Sequence, residues 1–310
     1  MPALFGFMHV NVNCSDLERS RRFYESALGL VASAHTRPAT AQPGAGFGLD
    51  GDALWDAWVL DDPRGMGGAA SLDLLCWLTP APVGAPPGIP PATGIHRLVY
   101  AVPALADALP RLAAAGRGVL PIATAARGSQ RARFAWALDP DGSVLEIVED
   151  PSCGRAVAAR AVVLVCRDLE RSVAWYERVL GLQVVTRESD AGAAGDAFAS
   201  SRDVRWDAAV LELPGRADHY ALRLEHWHAP AAIERPRALA NQLGPFRLAF
   251  LVDDAHAWHA ELERRGVACT GPPVWLDMGP EIPIDGLWAL FFYDPDGACV
   301  ELIQTPELRD

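Results

Sequence analysis

The stretch FMHVNVNCSDLERSRRFYESALGL at residues 7–30 returns 152 residues later as ARAVVLVCRDLERSVAWYERVLGL, with Ala161 standing where the first copy has His9. An imidazole can ligate a metal or move a proton near neutral pH, and a methyl group can do neither. The two copies therefore cannot perform the same chemistry at this position. Other imidazoles are less eloquent. His256 and His259 lie three apart on a helix beside Glu261, Glu263 and Arg264, which reads as a wet face. His226 and His228 alternate with Arg223, Glu225 and Trp227 and so read as the outside of a sheet. No Gly-rich phosphate loop and no Gly-x-Ser-x-Gly elbow is present, which removes the usual nucleotide-binding and serine-hydrolase readings.

The elements around these residues repeat as well. Val10–Val12 is β-prone, and Ser15-x-x-Glu18 is a capping-box pattern that opens a helix. Leu17, Phe23, Tyr24 and Leu28 sit near helical spacing before Gly29; the second copy runs likewise from Asp168 to Gly181. A weaker version follows each copy. Residues 94–102 form a strand and Leu105, Leu109 and Leu112 line a helix ending at Gly116. Their partners are 244–252 and a helix over 254–265. Both halves finish on a turn and strand, DPDGSVLEIVE at 139–149 and DPDGACVELIQ at 294–304. Aligned on these motifs, His9 to Asp73 is 64 residues and Ala161 to Arg223 is 62; Asp73 to His96 and Arg223 to Phe246 are both 23. His96 to Glu146 is 50 and Phe246 to Glu301 is 55. The expected organisation is α+β, two tandem modules of paired βαβββ units, at residues 1–152 and 157–310.

Bulk properties narrow the partners. A formal charge of −12 over 310 residues disfavours a nucleic-acid or anionic-membrane surface, since phosphate binding needs a concentrated basic face. No run of 18 apolar residues predicts a spanning helix, and the start lacks the basic and apolar regions of a secretory signal. Six scattered cysteines without a Cys-x-x-Cys pair fit reduced thiols and a cytoplasmic setting.

The -DLERS…FYE…LGL- run after the His9 strand, His96 opening a further strand, and -DPDG-x-x-x-E- ending at Glu146 together resemble the vicinal oxygen chelate superfamily. That superfamily includes glyoxalases, extradiol dioxygenases, epimerases and bleomycin- or fosfomycin-resistance proteins. The resemblance spans nearly the whole chain, once per module. It implies strands curled into a cup around one metal or ligand, with His9, His96 and Glu146 as metal ligands. Two imidazoles and a carboxylate suit Fe(II), the favoured ion, or Mn, Ni, Zn or Co. Asp73 ligates, bonds to a ligand, or acts as a base. Strand alternation places Asn11 and Asn13 with His9, Tyr100 with His96, and Trp77 with Asp73. The asparagines and Trp77 are then substrate-binding candidates, and Asp73 and Tyr100 catalytic ones. In the second module Ala161, Arg223, Phe246 and Glu301 hold the same places, and Arg223 is expected to pair with Glu301.

Three functions follow from the resemblance. The favoured one is an Fe(II) dioxygenase of extradiol-like type, acting on a small substrate that chelates the metal through adjacent oxygens. The second is a glyoxalase- or epimerase-type lyase or isomerase, which Asp73 would serve as base. The third is a metal-free protein that binds a drug or metabolite. The expected partner is a small molecule, with neither nucleic acid nor membrane; a homodimer is compatible with each reading.

Overall fold

A computed structural model describes residues 2–65, 67–127, 130–154, 156–193, 198, 203–215 and 220–306. It contains four strand-helix-strands units. The first opens with strand Leu4–Asn13 and helix Leu17–Arg22, which continues as a π-helical turn Phe23–Leu28; strands Val31–Thr36, Asp52–Asp61 and Ser71–Thr79 follow. The second comprises strand Gly94–Val102, helix Leu105–Ala115, and strands including Gln130–Leu138 and Val144–Glu149. The third comprises Ala158–Val165, helix Leu169–Leu180, and strands Gln183–Ala193, Val204–Glu212 and Ala221–Ala229. The fourth comprises Gly244–Val252, helix Ala255–Arg264, and strands Val274–Asp277, Gly286–Tyr293 and Cys299–Gln304.

Repeated residues make repeated joints. Asp16 and Asp168 each accept a hydrogen bond from a backbone N–H three residues on, at 2.9 and 3.0 Å, and so cap the first and third helices. The predicted capping box at Ser15 is replaced by this aspartate cap, and Ser15 instead donates to Asp141. Gly29 and Gly181 close the helices at φ 97° and 73°, a left-handed geometry that a Cβ would strain. The first aspartate of each -DPDG- turn accepts from backbone N–H groups of its own turn, and its other oxygen accepts from a helix tyrosine. Tyr24 reaches Asp139 at 3.0 Å and Tyr176 reaches Asp294 at 3.1 Å. The Tyr of FYE and WYE and the Asp of DPDG are thus one buried joint used twice.

The units join into two nine-stranded mixed sheets among the described residues, and each sheet takes one unit from each half of the chain. In the first sheet Leu4–Asn13 runs antiparallel to Gly244–Val252, so the first and fourth units share it. In the second, Gly94–Val102 runs antiparallel to Ala158–Val165, joining the second and third units. One continuous core takes in the backs of both sheets and all four helices, through residues such as Tyr24, Leu105, Leu145, Tyr176, Leu224, Phe250 and Trp258. Smaller clusters lie on the opposite faces of the sheets, which form two cups. Phe47, Trp55, Trp77, Phe246 and Phe291 belong to the first cup, and Phe134, Trp136, Phe198, Trp206 and Trp227 to the second. No described helix is long and apolar enough to cross a membrane.

Candidate functional site

Sheet pairing decides where the predicted site residues go. His9 and Asp73 lie on the first sheet, His96 and Glu146 on the second. The set His9, His96 and Glu146 therefore does not converge. Each cup instead combines residues from both halves of the chain.

In the first cup, alternation along Leu4–Asn13 turns Val10 and Val12 into the main core, while His9, Asn11 and Asn13 are turned away from it. His9 Nε2 lies 3.2 Å from Glu301 Oε2 and 3.8 Å from Asp73 Oδ2. Between the two carboxylates sits Arg247: its Nε donates to Glu301 at 2.7 Å and its Nη2 to Asp73 at 2.8 Å. Asn11 Nδ2 donates to the same Asp73 oxygen at 3.1 Å. Burial pushes the Glu301 carboxyl up, but the Arg247 guanidinium and the His9 contact outweigh it and hold the group below the usual carboxylate range. Two buried atoms of this cluster have no partner, Arg247 Nη1 and Asn11 Oδ1. Both belong to side chains that meet on Asp73.

The second cup is built from the corresponding strands with more charge. Arg97 Nε donates to Glu146 at 2.8 Å and its Nη2 to Glu225 at 2.6 Å. Arg223 bridges Glu225, at 2.7 Å, and Glu188. Trp227 adds a bond to Glu225 at 2.9 Å. Burial opposes ionisation of Glu225, yet the two arginines hold its carboxyl far below the usual range. The expected pairing of Arg223 with Glu301 does not occur, because the two residues lie on different sheets. His96 is fully buried; Nε2 lies 3.3 Å from the Pro90 carbonyl, and Nδ1 lies 3.3 Å from Arg97 Nη1. Since the guanidinium can only donate, Nδ1 accepts and Nε2 carries the proton. Burial and the neighbouring Arg97 push His96 down to about 4. Its one lone pair is already used.

Tyr100 and Trp77 also depart from the expected roles. Tyr100 packs in the main core behind the sheet, away from the cup. The cause is a β-bulge: Val163 and Leu164 pair with Arg97 and Ile95, leaving His96 as the extra residue and reversing the alternation beyond it. A similar irregularity sets both Phe246 and Arg247 opposite Asn11. Trp77 does lie in the first cup, but it is buried against Phe47 and Trp55, and its Nε1 donates to Asn13 Oδ1 at 3.1 Å. Asn13 spends its amide on the Ala240 and Gln242 carbonyls. This pair braces the cup wall and leaves no free group for a substrate. The cup residues that sequence reasoning passed over are Arg97 and Arg247. Their signal was present: GIHRL and GPFRL each place an arginine at the same offset in an otherwise apolar strand.

These residues do not fit a divalent metal. In the first cup a guanidinium already neutralises Asp73 and Glu301, and in the second the lone pair of His96 and a lobe of Glu146 face Arg97. Among the described residues, no three His, Cys, Asp or Glu side chains are arranged to hold a metal ion.

Comparison with known proteins agrees with the fold. None of the curated proteins compared matches the chain. Among solved structures it is similar to glyoxalase I from Zea mays, with 18% identity over 96% of this chain and 92% of that one and a TM-score of 0.64. A putative dioxygenase from Bacillus subtilis subsp. subtilis str. 168 is similar over 99% of this chain and 87% of that one, at 17% identity and a TM-score of 0.63. At such identities the likeness is one of fold. The model of the Glyoxalase/Bleomycin resistance protein/Dioxygenase superfamily matches residues 6–147 and again 159–302. Members of this superfamily are mostly metal-dependent enzymes acting on small molecules. The chain belongs to that superfamily and carries its domain twice.

Proposed function

We propose that this chain binds a small polar ligand in its first cup without a metal, the Arg247 guanidinium supplying the positive charge. The observation that carries this is the pair of unpartnered buried atoms, Arg247 Nη1 and Asn11 Oδ1, on side chains that converge on Asp73. A buried donor and acceptor left unpaired each cost about 1–3 kcal/mol, and a ligand that satisfies both recovers that cost. The matching ligand presents an oxygen acceptor beside an O–H or N–H donor, as in a hydroxy acid or a primary amide. Solvent reaches this cluster: the His9 side chain is 11% exposed, against 2% for Arg97 and 0% for Glu146 in the second cup.

The Fe(II) dioxygenase and the glyoxalase- or epimerase-type readings both need a metal. His9, Asp73 and Glu301 are the donors that favour them, and both require Arg247 to leave two carboxylates. Calorimetric titration of EDTA-treated protein with a panel of small hydroxy acids and amides separates the cases. The expected result is binding indifferent to EDTA and weakened about tenfold or more in Arg247→Lys, which keeps the charge but loses the fork. Binding that appears only after a divalent metal is added would overturn the proposal.

A further inference from the structure

All six cysteines are free thiols, and two of them face each other. Asn13 pairs with Leu75 across parallel strands, and the Cys14 N–H donates to the Leu75 carbonyl at 2.8 Å. The next residues along, Cys14 and Cys76, both turn to the helix side of the sheet, where Cys14 lies in the main core and Cys76 packs against it. Facing residues on neighbouring strands lie about 4.8 Å apart, inside the roughly 4.4–6.8 Å Cα separation that a disulfide spans. Their exposure differs: Cys14 is buried and Cys76 is partly open to solvent.

We infer that Cys14 and Cys76 form a peroxide-responsive dithiol, with Cys76 as the attacking thiol and Cys14 as the resolving one. The contact between them supports this division. Hydrogen bonding to Cys76, with burial, pushes the Cys14 thiol up, while the same hydrogen bond draws the Cys76 thiol down against burial. The Cys76 thiolate attacks one peroxide oxygen and breaks the O–O bond, giving a sulfenic acid and, after protonation of the leaving oxygen, water. Cys14 sulfur then attacks the sulfenic sulfur and displaces its hydroxyl, which leaves as a second water with the Cys14 proton. Two thiols are oxidised by two electrons and one hydrogen peroxide is reduced to two waters. The adjoining residues Asn13 and Trp77 are hydrogen-bonded in the first cup, so the bridge forms one residue away from that wall on each strand.

The test treats the reduced full-length protein with hydrogen peroxide, alkylates the remaining thiols under denaturing conditions and maps peptides by mass spectrometry. The expected result is a Cys14–Cys76 linked peptide and loss of two of the six alkylatable thiols. Cys14→Ser should abolish the link and leave a sulfenic acid on Cys76 that dimedone traps. Six alkylated thiols, a linked peptide joining other cysteines, or wild-type oxidation of Cys76 to a sulfinic acid while Cys14 stays free would each overturn the assignment.

Discussion

The two cups share a plan and differ in how many charges they hold and in how far solvent reaches them. In the second, two guanidinium groups hold three carboxylates in a sealed network, and both nitrogens of its histidine are engaged. In the first, one guanidinium serves two carboxylates, an imidazole touches both, and solvent reaches that imidazole. A buried ion pair adds little to stability against an apolar substitute, but breaking one is expensive, because the partner stays charged and dry. The second leaves two donors unpaired, Arg223 Nη2 and Trp206 Nε1, whereas the first leaves a donor and an acceptor together, Arg247 Nη1 and Asn11 Oδ1, beside an imidazole that solvent reaches; that difference is the basis for proposing the ligand site in the first cup.

The largest expected effect strikes the sealed network. Arg97→Met leaves Glu146 and Glu225 each short of a partner and should cost about 3–5 kcal/mol in chemical denaturation. Arg247→Met should cost less, about 1–3 kcal/mol, because the partly exposed His9 imidazole stays beside both carboxylates and can take a proton as their counter-charge. Equal losses would remove the distinction between the cups.

Next comes the imidazole. Because His96 is held down at about 4 when folded, against the ordinary 6.5 of an exposed imidazole, the unfolded chain binds more protons between those values. Its contribution is therefore lost as pH falls from about 6.5 to about 4. His96→Phe, the residue that Phe246 already places in the other cup, should remove up to about 3 kcal/mol of that pH dependence. Urea denaturation of both proteins across this window measures the difference; parallel curves would show that His96 is not buried in neutral form.

Smaller effects should be the same in both modules. Tyr24→Phe and Tyr176→Phe each delete one hydrogen bond to a buried aspartate, worth about 1–1.5 kcal/mol. Matching losses in Tm would place the asymmetry in the cups alone. A marked mismatch would extend it to the helix layer.

Much of this scaffold was legible in the sequence. Asp16 and Asp168, Gly29 and Gly181, and the two -DPDG- turns act through neighbours a few residues away, so local pattern reveals them. Which units share a sheet was not legible. The antiparallel pairing of Leu4–Asn13 with Gly244–Val252 joins residues some 240 positions apart, and nothing in either strand's own pattern selects that partner over Gly94–Val102. Tyr100 failed for a local reason, since one bulged residue reverses the facing of every residue beyond it. Arg97 and Arg247 were legible and passed over. A charged residue inside an apolar strand, repeated at the same offset, marks a buried partner more surely than the lone imidazole beside it.

The most direct test of the central claim, that Arg247 takes the carboxylates a metal would need, is metal titration of the first cup. Calorimetry of metal-free wild type and Arg247→Ala with Zn, Ni and, under anaerobic conditions, Fe(II) should show no stoichiometric binding to the wild type. The variant, with His9, Asp73 and Glu301 released, should take up one ion per chain. One ion bound per wild-type chain, and lost in His9→Ala, would contradict the account.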